Sequence, residues 1–582
     1  MSPPDAAGER RRVRAVAACV VGMAALYTLH RAIVLRLEYY DGFEALLDAR
    51  TVLGDPVGAY SANRPPFVVL AQLPAAVVAR AAEPASVLWF VAPHLTSAVL
   101  SFAAAAALFA VYRRPLGATL ATLGVALFMT TPFFVRYAVH AMGDVPAAGW
   151  VAVAVALYSR ARARRSLVVY AACGLGAGAA IGTKYQLVVL VPVLALAEAA
   201  YSWHERRLDG RRWVGLGLAA ATTVALFAAL SETIVLTAYP GGLRSYLGAL
   251  RQVLALNRDM AATHHESPVD YLPMAAVMIG IPTLLLAALG LARSLVERRA
   301  DDIPFFAWLG VLGGGIVFFS GHTEARYLVP AVPALVYFGT RGMELLVHGR
   351  GAGRALAAAL FAWAVGTGAW QAVLDRDPVF LSDGPRRAAQ ALLRARRPGG
   401  RFFWTGAEHT FHPRDPTEVP RDEYFDTFHF GSDACACLLG EPVSSVAIVN
   451  PDALAPRLLD GDAVMKGPPA AYETGTIPSG GVPPLEVLAV HRIALVPTTS
   501  GRFAAVEPIA VALTLREAGG QIVATPERDY GTWTVFLEAG RPGALYWLGT
   551  RELRAGGDVA LAPGSPSAVT GIVLLRFDRT PF

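Results

Sequence analysis

Apolar segments of about 20 residues alternate with short polar segments through the first 374 residues of the chain. A helix needs about 20 mostly apolar residues to cross a bilayer, so this pattern predicts about eleven membrane-spanning helices. They are expected at residues 13–36, 85–111, 115–133, 146–159, 167–183, 185–202, 214–237, 271–292, 303–320, 327–347 and 355–374. Another apolar segment, residues 65–82, is short and contains Pro74, so we expect it to be interfacial or re-entrant.

The charges between these segments predict the topology. With the N-terminus inside, every inner loop is basic and the outer loops have mixed charge, as the positive-inside rule requires. The arginines of the inner loops are Arg113 and Arg114; Arg160, Arg162, Arg164 and Arg165; Arg206, Arg207, Arg211 and Arg212; Arg293, Arg298 and Arg299; and Arg350 and Arg354. Residues 1–12 are then a cytoplasmic N-terminus, and residues 13–374 form the membrane domain.

Residues 375–582 contain no further apolar span and are richer in Pro, Gly and charged residues. An odd number of spans places this region outside, as an extracytoplasmic soluble domain. A helix at residues 384–397 and a strand at 401–405 predict an α/β part, followed by a β-rich part. The later β-like runs are residues 485–496, 532–538 and 568–577.

The composition agrees with an integral membrane protein. Of the 582 residues, 54% are hydrophobic and 16% are charged, and the mean hydropathy is +0.44. The net charge of +6 does not indicate nucleic-acid binding, because the arginines lie in short clusters between the apolar segments. We therefore expect a multi-pass protein of the cell (plasma) membrane.

The first outer loop, residues 38–66, is rich in acidic residues. At about 100° per residue, Asp41, Glu44 and Asp48 would fall within an arc of roughly 60° on a helix, opposite apolar positions such as Phe43. A helix of this kind at the membrane surface would turn a row of carboxylates towards water or a substrate. The row is therefore either a solvated face or part of an active site.

Other polar side chains are expected at the same outer boundary, where such groups are costly and usually functional. They are Arg136, His140 and Asp144 in PFFVRYAVHAMGDVP; Lys184 in GTKYQ; and His322, Glu324 and Arg326 in GHTEARYLVPAVP. Lys184 either binds phosphate or anchors its helix at the interface. Arg326 either binds phosphate or pairs with Glu324. Asp144 either belongs to the site or is an N-cap or first-turn carboxylate of a helix.

In this order, the motifs resemble those of the GT-C membrane glycosyltransferases, in particular the group of the protein O-mannosyltransferases and the lipid A aminoarabinose transferase. The resemblance covers residues 13–345. It rests on the signal-anchor helix, the acidic first loop, RPPF at 64–67, the Asp-Val-Pro that closes the second loop, GTKY at 182–185 and RYLVPAVP at 326–333. One difference is that two residues separate Asp41 from Glu44, where the family often has two adjacent acids.

The resemblance implies a polytopic all-α membrane domain with a GT-C-like fold, which transfers a sugar from a polyprenyl-phosphate carrier to a glycan, lipid or protein acceptor on the outer side. It implies a single displacement with inversion. Asp41 would be the general base or a metal ligand, assisted by Glu44, while Asp144 would orient the acceptor or metal. The implied substrate-binding residues are Lys184, Arg326, Glu324, His322, Arg64 and His140. The cofactor stays open, with a divalent metal at Asp41 and Asp144 as one alternative.

Two other classes of function remain open. A transporter or flippase for a polyprenyl-linked or other amphipathic substrate would use the same cationic groups, but with inverted repeats and polar residues near the bilayer midplane. A structural or sensory protein would use the membrane domain as an anchor for its outer domain. The concentration of polar groups at one membrane boundary favours the glycosyltransferase.

Overall fold

The computed structural model describes most of the first 374 residues and shorter segments of the rest. The described residues are 6–36, 38–57, 64–238, 247–248, 251, 268–319, 325–348, 351–374, 386, 389–390, 393, 402–405, 410–411, 428–429, 432–446, 463–466, 486–489, 495–497, 502–505, 512–539, 545–563 and 569–575.

The N-terminal part is helical. Its helices are α1 (Ala6–Val34), α2 (Tyr40–Val52), α3 (Pro66–Arg80), α4 (Leu88–Met129), α5 (Pro132–Tyr137), α6 (Asp144–Arg164), α7 (Leu167–Thr183), α8 (Leu190–Glu205), α9 (Gly210–Ala238), α10 (Tyr271–Ala275), α11 (Ile281–Glu297), α12 (Ile303–Ala307), α13 (Gly314–Phe319), α14 (Val332–His348) and α15 (Gly351–Leu374). Short 3₁₀ turns precede α8, α10, α12 and α14, and π-helical turns precede α11 and α13. Helical residues thus occur in every segment that was predicted to span the membrane.

Seven segments among the described residues are long and apolar enough to cross a membrane, and α3 and α7 are shorter apolar helices. This confirms a polytopic helical membrane domain, while the count of eleven crossings stays a prediction. The 15 residues of α3 span about 22 Å at 1.5 Å per residue, less than the hydrocarbon thickness of about 30 Å. Its length is therefore compatible with the interfacial placement expected for residues 65–82.

Helix α4 is two helices joined at Gly117. Its 42 residues would extend about 63 Å as one straight helix, roughly twice the hydrocarbon thickness. Gly117 has φ 79° and ψ 168°, a conformation that suits glycine, and Pro115 lies just before it. The break lies at the third residue of the span predicted at 115–133, three residues beyond the connection expected at 112–114.

Helices α4, α6, α7 and α9 pack closely through small residues. A side chain at Gly149 of α6 would meet the Cβ of Ala104 at 2.6 Å, and one at Gly174 of α7 would meet the carbonyl oxygen of Ala219 at 2.2 Å. Small residues allow helix backbones to approach closely inside a membrane. With 21 residues, α6 places its Asp144 end about 30 Å from its arginine-rich end.

At that arginine-rich end, a buried carboxylate ties three helices together. Glu198 of α8 is fully buried and accepts a hydrogen bond from the Tyr158 hydroxyl of α6 at 2.8 Å. Arg162 of α6 and Arg212 of α9 lie 3.2 Å and 3.8 Å from its oxygens. A buried charge is tolerated when it is paired in this way, so Arg162 and Arg212 also stabilise the helix packing.

The described part of the C-terminal region contains strands in four sheets. The strands are β1 (Phe402–Thr405), β2 (Thr410–Phe411), β3 (Phe428–His429), β4 (Val443–Val446), β5 (Ala463–Lys466), β6 (Glu486–Ala489), β7 (Leu495–Pro497), β8 (Arg502–Ala505), β9 (Ala512–Ala518), β10 (Gln521–Pro526), β11 (Gly531–Ala539), β12 (Leu545–Leu553), β13 (Val559–Pro563) and β14 (Val569–Leu575). In the first sheet, β4-β1-β5-β6, strand β1 is parallel to β4 and β5. The later sheets, β13-β10-β9-β8-β7 and β12-β11-β14, are antiparallel. An α/β part followed by a β-rich part is confirmed, whereas the domain boundaries and the outer location stay predictions.

One helix of this region contacts the membrane domain. Helix α16 (Ser432–Leu439) packs against α2, and the backbone N–H of Ala85 donates to the carbonyl of Leu438 at 2.8 Å. Arg50 of α2 donates to the carbonyl of Cys437 and lies 3.6 Å above the ring of Trp89. The C-terminal region therefore supports the helix that carries the acids of the first outer loop.

Candidate active site

Helix α2 presents two of its three predicted acids to the site. Phe43 is fully buried on its apolar face, as the pattern predicts. Asp41 and Glu44 keep 19% and 13% of their side-chain exposure, and both form ion pairs. Asp48 is 2% exposed, so the prediction that it faces water or a substrate was wrong. The reason is that α2 is covered on more than one side and does not lie on an open surface.

Two arginines meet at Asp41. Arg64, just before α3, lies 2.5 Å from one carboxylate oxygen of Asp41, and Arg326 donates to the other. Arg64 also donates from Nε to Glu44 at 2.5 Å. Although burial opposes its charge, the carboxylates of Asp41 and Glu44 raise the pKa of Arg64 above its usual range. This guanidinium is therefore permanently charged.

Lys184 and Asp144 form a second ion pair in the same cluster. Lys184 ends α7 in an extended conformation, and its ammonium donates to Asp144 at the start of α6. The close approach depends on Gly143, because a Cβ there would lie 2.5 Å from the carbonyl oxygen of Thr183. The N-cap of α6 is Gly143, and Asp144 is a first-turn carboxylate of that helix as well as the partner of Lys184. Lys184 is 8% exposed, which disfavours a simple interfacial anchor.

Arg326 joins the two ion pairs. Its backbone carbonyl accepts from the Lys184 ammonium at 3.2 Å, and Tyr327 lies 4.9 Å beneath that ammonium. Arg326 and Tyr327 lie in a 3₁₀ turn. A hydrogen bond from the Trp308 indole N–H to the carbonyl of Pro330, at 2.7 Å, fixes this turn. The proline-rich motif therefore positions Arg326 through main-chain contacts.

The cluster contains as many cations as carboxylates. They are Arg64, Lys184 and Arg326, and Asp41, Glu44 and Asp144, with side-chain exposures between 7% and 19%. We call these six residues the ion-pair cluster. Charges this poorly hydrated need partners, so a bound anion would replace one set of partners with another. Of the other candidates, His322 and Glu324 lie outside the described residues, and His140 contacts a different carboxylate.

That carboxylate belongs to Glu38, which the sequence did not single out as a site residue. Glu38 is fully buried between two histidines. One of its carboxylate oxygens lies 2.7 Å from Nδ1 of His140, and the other lies 3.1 Å from Nε2 of His94, which belongs to α4. Burial alone would raise the pKa of Glu38, but the contacts with both histidines lower it well below its usual range. Burial lowers the pKa of His140 from its ordinary value. The only sequence signal for His94 is a polar residue inside an apolar span.

Comparisons with known proteins agree with this fold. A family model described as dolichyl-phosphate-mannose-protein mannosyltransferase matches residues 89–231. ArnT from Cupriavidus metallidurans bound to undecaprenyl phosphate superimposes with a TM-score of 0.54 and 14% identity, over 78% of this chain and 94% of that chain. The oligosaccharyltransferase of Archaeoglobus fulgidus gives a TM-score of 0.51 and 12% identity, over 87% of this chain and 75% of that chain. No curated protein matches by sequence.

These relatives are GT-C membrane glycosyltransferases, and the chain shares their fold. The resemblance found in the sequence motifs is therefore confirmed at the level of architecture. At such low identity the likeness establishes the fold alone, so the case for an activity rests on the ion-pair cluster.

Proposed function

We propose that this protein is an integral membrane glycosyltransferase that moves a sugar from a polyprenyl-phosphate carrier to an acceptor on the outer side of the membrane. The observation that carries the proposal is the ion-pair cluster, in which three cations and three carboxylates from distant parts of the chain meet at one site. ArnT, which shares the fold, was solved with undecaprenyl phosphate. A lipid phosphate of this class is the anion that the cluster would receive.

Phosphate binding would use Lys184 and Arg326. The ammonium and the guanidinium lie 4.9 Å and 5.9 Å from the Tyr327 ring, and both provide N–H donors, which suit the oxygens of a phosphodiester. Arg64 adds a third positive charge on the other side of Asp41. A phosphate that takes up these donors would release carboxylates from their ion pairs, so donor binding itself would free Asp41 for chemistry.

Asp41 would then act as the general base. The acceptor hydroxyl attacks the anomeric carbon of the donor sugar, its proton passes to Asp41, and the bond between that carbon and the phosphate oxygen breaks. The electron pair leaves with the phosphate, where Lys184 and Arg326 neutralise the developing charge. The products are the inverted glycoside and the polyprenyl phosphate. Glu44 would keep Arg64 in place, and Asp144 would do the same for Lys184.

A metal bound by Asp41 and Asp144 fits this arrangement poorly. Both oxygens of Asp41 contact arginines, and Asp144 contacts the Lys184 ammonium. A divalent ion would have to displace these cations before it reached either carboxylate. The proposed reaction therefore uses no metal ion at Asp41 and Asp144.

The proposal is tested by sugar transfer in membranes that contain the full-length protein. A panel of radiolabelled polyprenyl-phosphate sugars is offered, and release of label from the lipid fraction is followed with time. We expect at least one sugar to be consumed. If membranes with and without the protein consume every donor equally, while the protein moves intact lipid between leaflets, the flippase alternative replaces this proposal.

A further inference from the structure

Three fully buried ligand-type side chains meet outside the ion-pair cluster. Glu38 lies in the first outer loop, His94 in α4 and His140 in the second outer loop, and the side chains of all three are 0% exposed. One ligand atom from each lies within 4.8 Å of the other two. Within the part of the chain that the structure describes, no other group of three or more His, Cys, Asp and Glu side chains is this close.

The spacing of these atoms is near that of metal ligands. Two ligands about 2.0–2.1 Å from a tetrahedral zinc ion lie about 3.3 Å apart. The Nε2 atom of His94 is 3.1 Å from one oxygen of Glu38, and the Nδ1 atom of His140 is 2.7 Å from the other. A movement of about half an ångström by the His140 ring would lengthen the distance between its Nδ1 atom and the Glu38 oxygen to about 3.3 Å, as between two ligands of one zinc ion.

The carboxylate is already held by the backbone. The N–H groups of Tyr39 and Ala141 donate to its two oxygens at 2.8 Å and 2.9 Å. Gly42 allows the side chain of Glu38 to lie against α2, because a Cβ at Gly42 would be 2.4 Å from the Glu38 Cδ. Hydrogen bonds that orient a ligand in advance are a regular feature of metal sites.

In both histidines, one of the two ring nitrogens lacks a hydrogen-bond partner. The ring nitrogens that face away from Glu38, Nδ1 of His94 and Nε2 of His140, are buried without a hydrogen-bond partner. Burying such groups costs free energy. A metal ion bound at the two near nitrogens would fix both far nitrogens as N–H donors.

We propose that Glu38, His94 and His140 bind a divalent transition-metal ion, with Zn²⁺ as the best match. Two imidazoles and one carboxylate suit zinc, whereas calcium and magnesium prefer oxygen ligands alone. Three protein ligands leave a fourth position for water. The site is separate from the ion-pair cluster, and the proposal does not depend on the proposed function.

The role of the metal would be to position the outer loops. Glu38 precedes Asp41 by three residues, and His140 precedes Asp144 by four. A metal that joins both loops to His94 would fix the separation of the two carboxylates. In this account Glu38, His94 and His140 are positioning residues.

The test is the metal content of the full-length protein, purified without a polyhistidine tag. We expect about one zinc per chain by mass spectrometry, and retention of zinc after dialysis against a weak chelator. His94→Gln should reduce the zinc content at least fivefold. His204→Gln, at an exposed position near the end of α8, should retain the zinc and serves as the matched control.

Cobalt provides a second readout that needs no variant. Co²⁺ added to the chelator-treated wild type should give saturable visible absorption bands of a four-coordinate site, and Zn²⁺ should abolish them. If the wild type neither retains zinc nor binds cobalt, the proposal is wrong. The proposal is also wrong if His94→Gln folds and holds as much metal as the wild type. The metal would then be an adventitious ion only, bound elsewhere on the protein.

Discussion

Among single residues, Lys184 offers a direct test of phosphate binding. We expect Lys184→Ala to raise the KM for the donor about 10- to 100-fold, because a charge-assisted hydrogen bond contributes about 1.5–3 kcal/mol. Lys184→Arg should recover part of the loss, since it keeps the charge but changes the geometry. Steady-state kinetics over a range of donor concentrations would measure both effects.

The chain provides its own control for this substitution. Lys466, the other lysine, lies in β5 of the C-terminal region, and Lys466→Ala should leave the donor KM unchanged. If Lys184→Ala binds and turns over the donor like the wild type, the phosphate-binding role assigned to Lys184 is refuted.

For single residues, the sequence indicated most members of the ion-pair cluster, but not which cation contacts which carboxylate. Asp41, Asp144 and Lys184 could be chosen because charged groups at a membrane boundary are costly. Their partners lie far along the chain: Lys184 meets Asp144 across 40 positions, and Arg326 meets Asp41 across 285. Spacing carries no information about such contacts. The same limit hid Glu38, whose histidine partners are 56 and 102 residues away.

At the element scale, Gly143 sets the distance between α6 and α7. Its missing side chain allows the α6 start to touch the end of α7, so Gly143→Ala should separate Asp144 from Lys184. Overpacking of this kind costs about 1–3 kcal/mol. We expect a lower thermal unfolding midpoint and at least a tenfold loss of sugar transfer, measured by thermal shift and by the membrane assay.

Gly217→Ala is the matched control, because a Cβ at that position of α9 meets nothing within 4 Å. It should keep full activity and equal or slightly higher stability, as alanine favours a helix over glycine by about 1 kcal/mol. Equal behaviour of the two variants would argue against a special role for the contact at Gly143.

Element positions could be predicted well, because apolar length and arginine placement reflect strong physical constraints. The loop predicted near residues 112–114 corresponds to the break at Gly117, which needs a positive φ that glycine provides. The orientation of α2 was harder to predict. Its amphipathic pattern correctly buries Phe43, but Asp48 is buried as well, because neighbouring elements cover a face that the pattern alone assigns to water.

At the scale of the whole molecule, Arg50 couples the C-terminal region to the membrane domain. It contacts Asp55 at 2.6 Å and the carbonyl of Cys437, whose side chain is buried. We expect Arg50→Gln to loosen α16, because removing one partner of a buried ion pair is strongly destabilising. The rate at which a maleimide labels Cys437 should rise at least tenfold, measured in a chain whose other cysteines are replaced by serine.

Arg80→Gln is the control for this effect. Arg80 contacts the same Asp55 at 3.1 Å but is 49% exposed, so its loss should change the labelling rate less than twofold. If Cys437 is labelled at the same rate with Arg50 or Gln at position 50, the docking of α16 does not depend on this side chain.

The contact between the two regions was not predictable from the sequence. Arg50 and Cys437 are 387 positions apart. The sequence predicted the larger division, because residues 375–582 lack apolar spans. The strands observed there agree with that division, whereas their pairing order depends on contacts between distant segments.

In the proposed reaction, Asp41 accepts the proton of the acceptor while the cations of the ion-pair cluster hold the donor phosphate. The most direct measurement compares donor binding and sugar transfer in the wild type and Asp41→Asn, with Asp209→Asn in the loop before α9 as a control. We expect Asp41→Asn to bind the donor at least as tightly, because Arg64 and Arg326 lose a competing carboxylate, and to transfer sugar about 10²- to 10⁴-fold more slowly. Transfer by Asp41→Asn at the wild-type rate would show that Asp41 is not the general base.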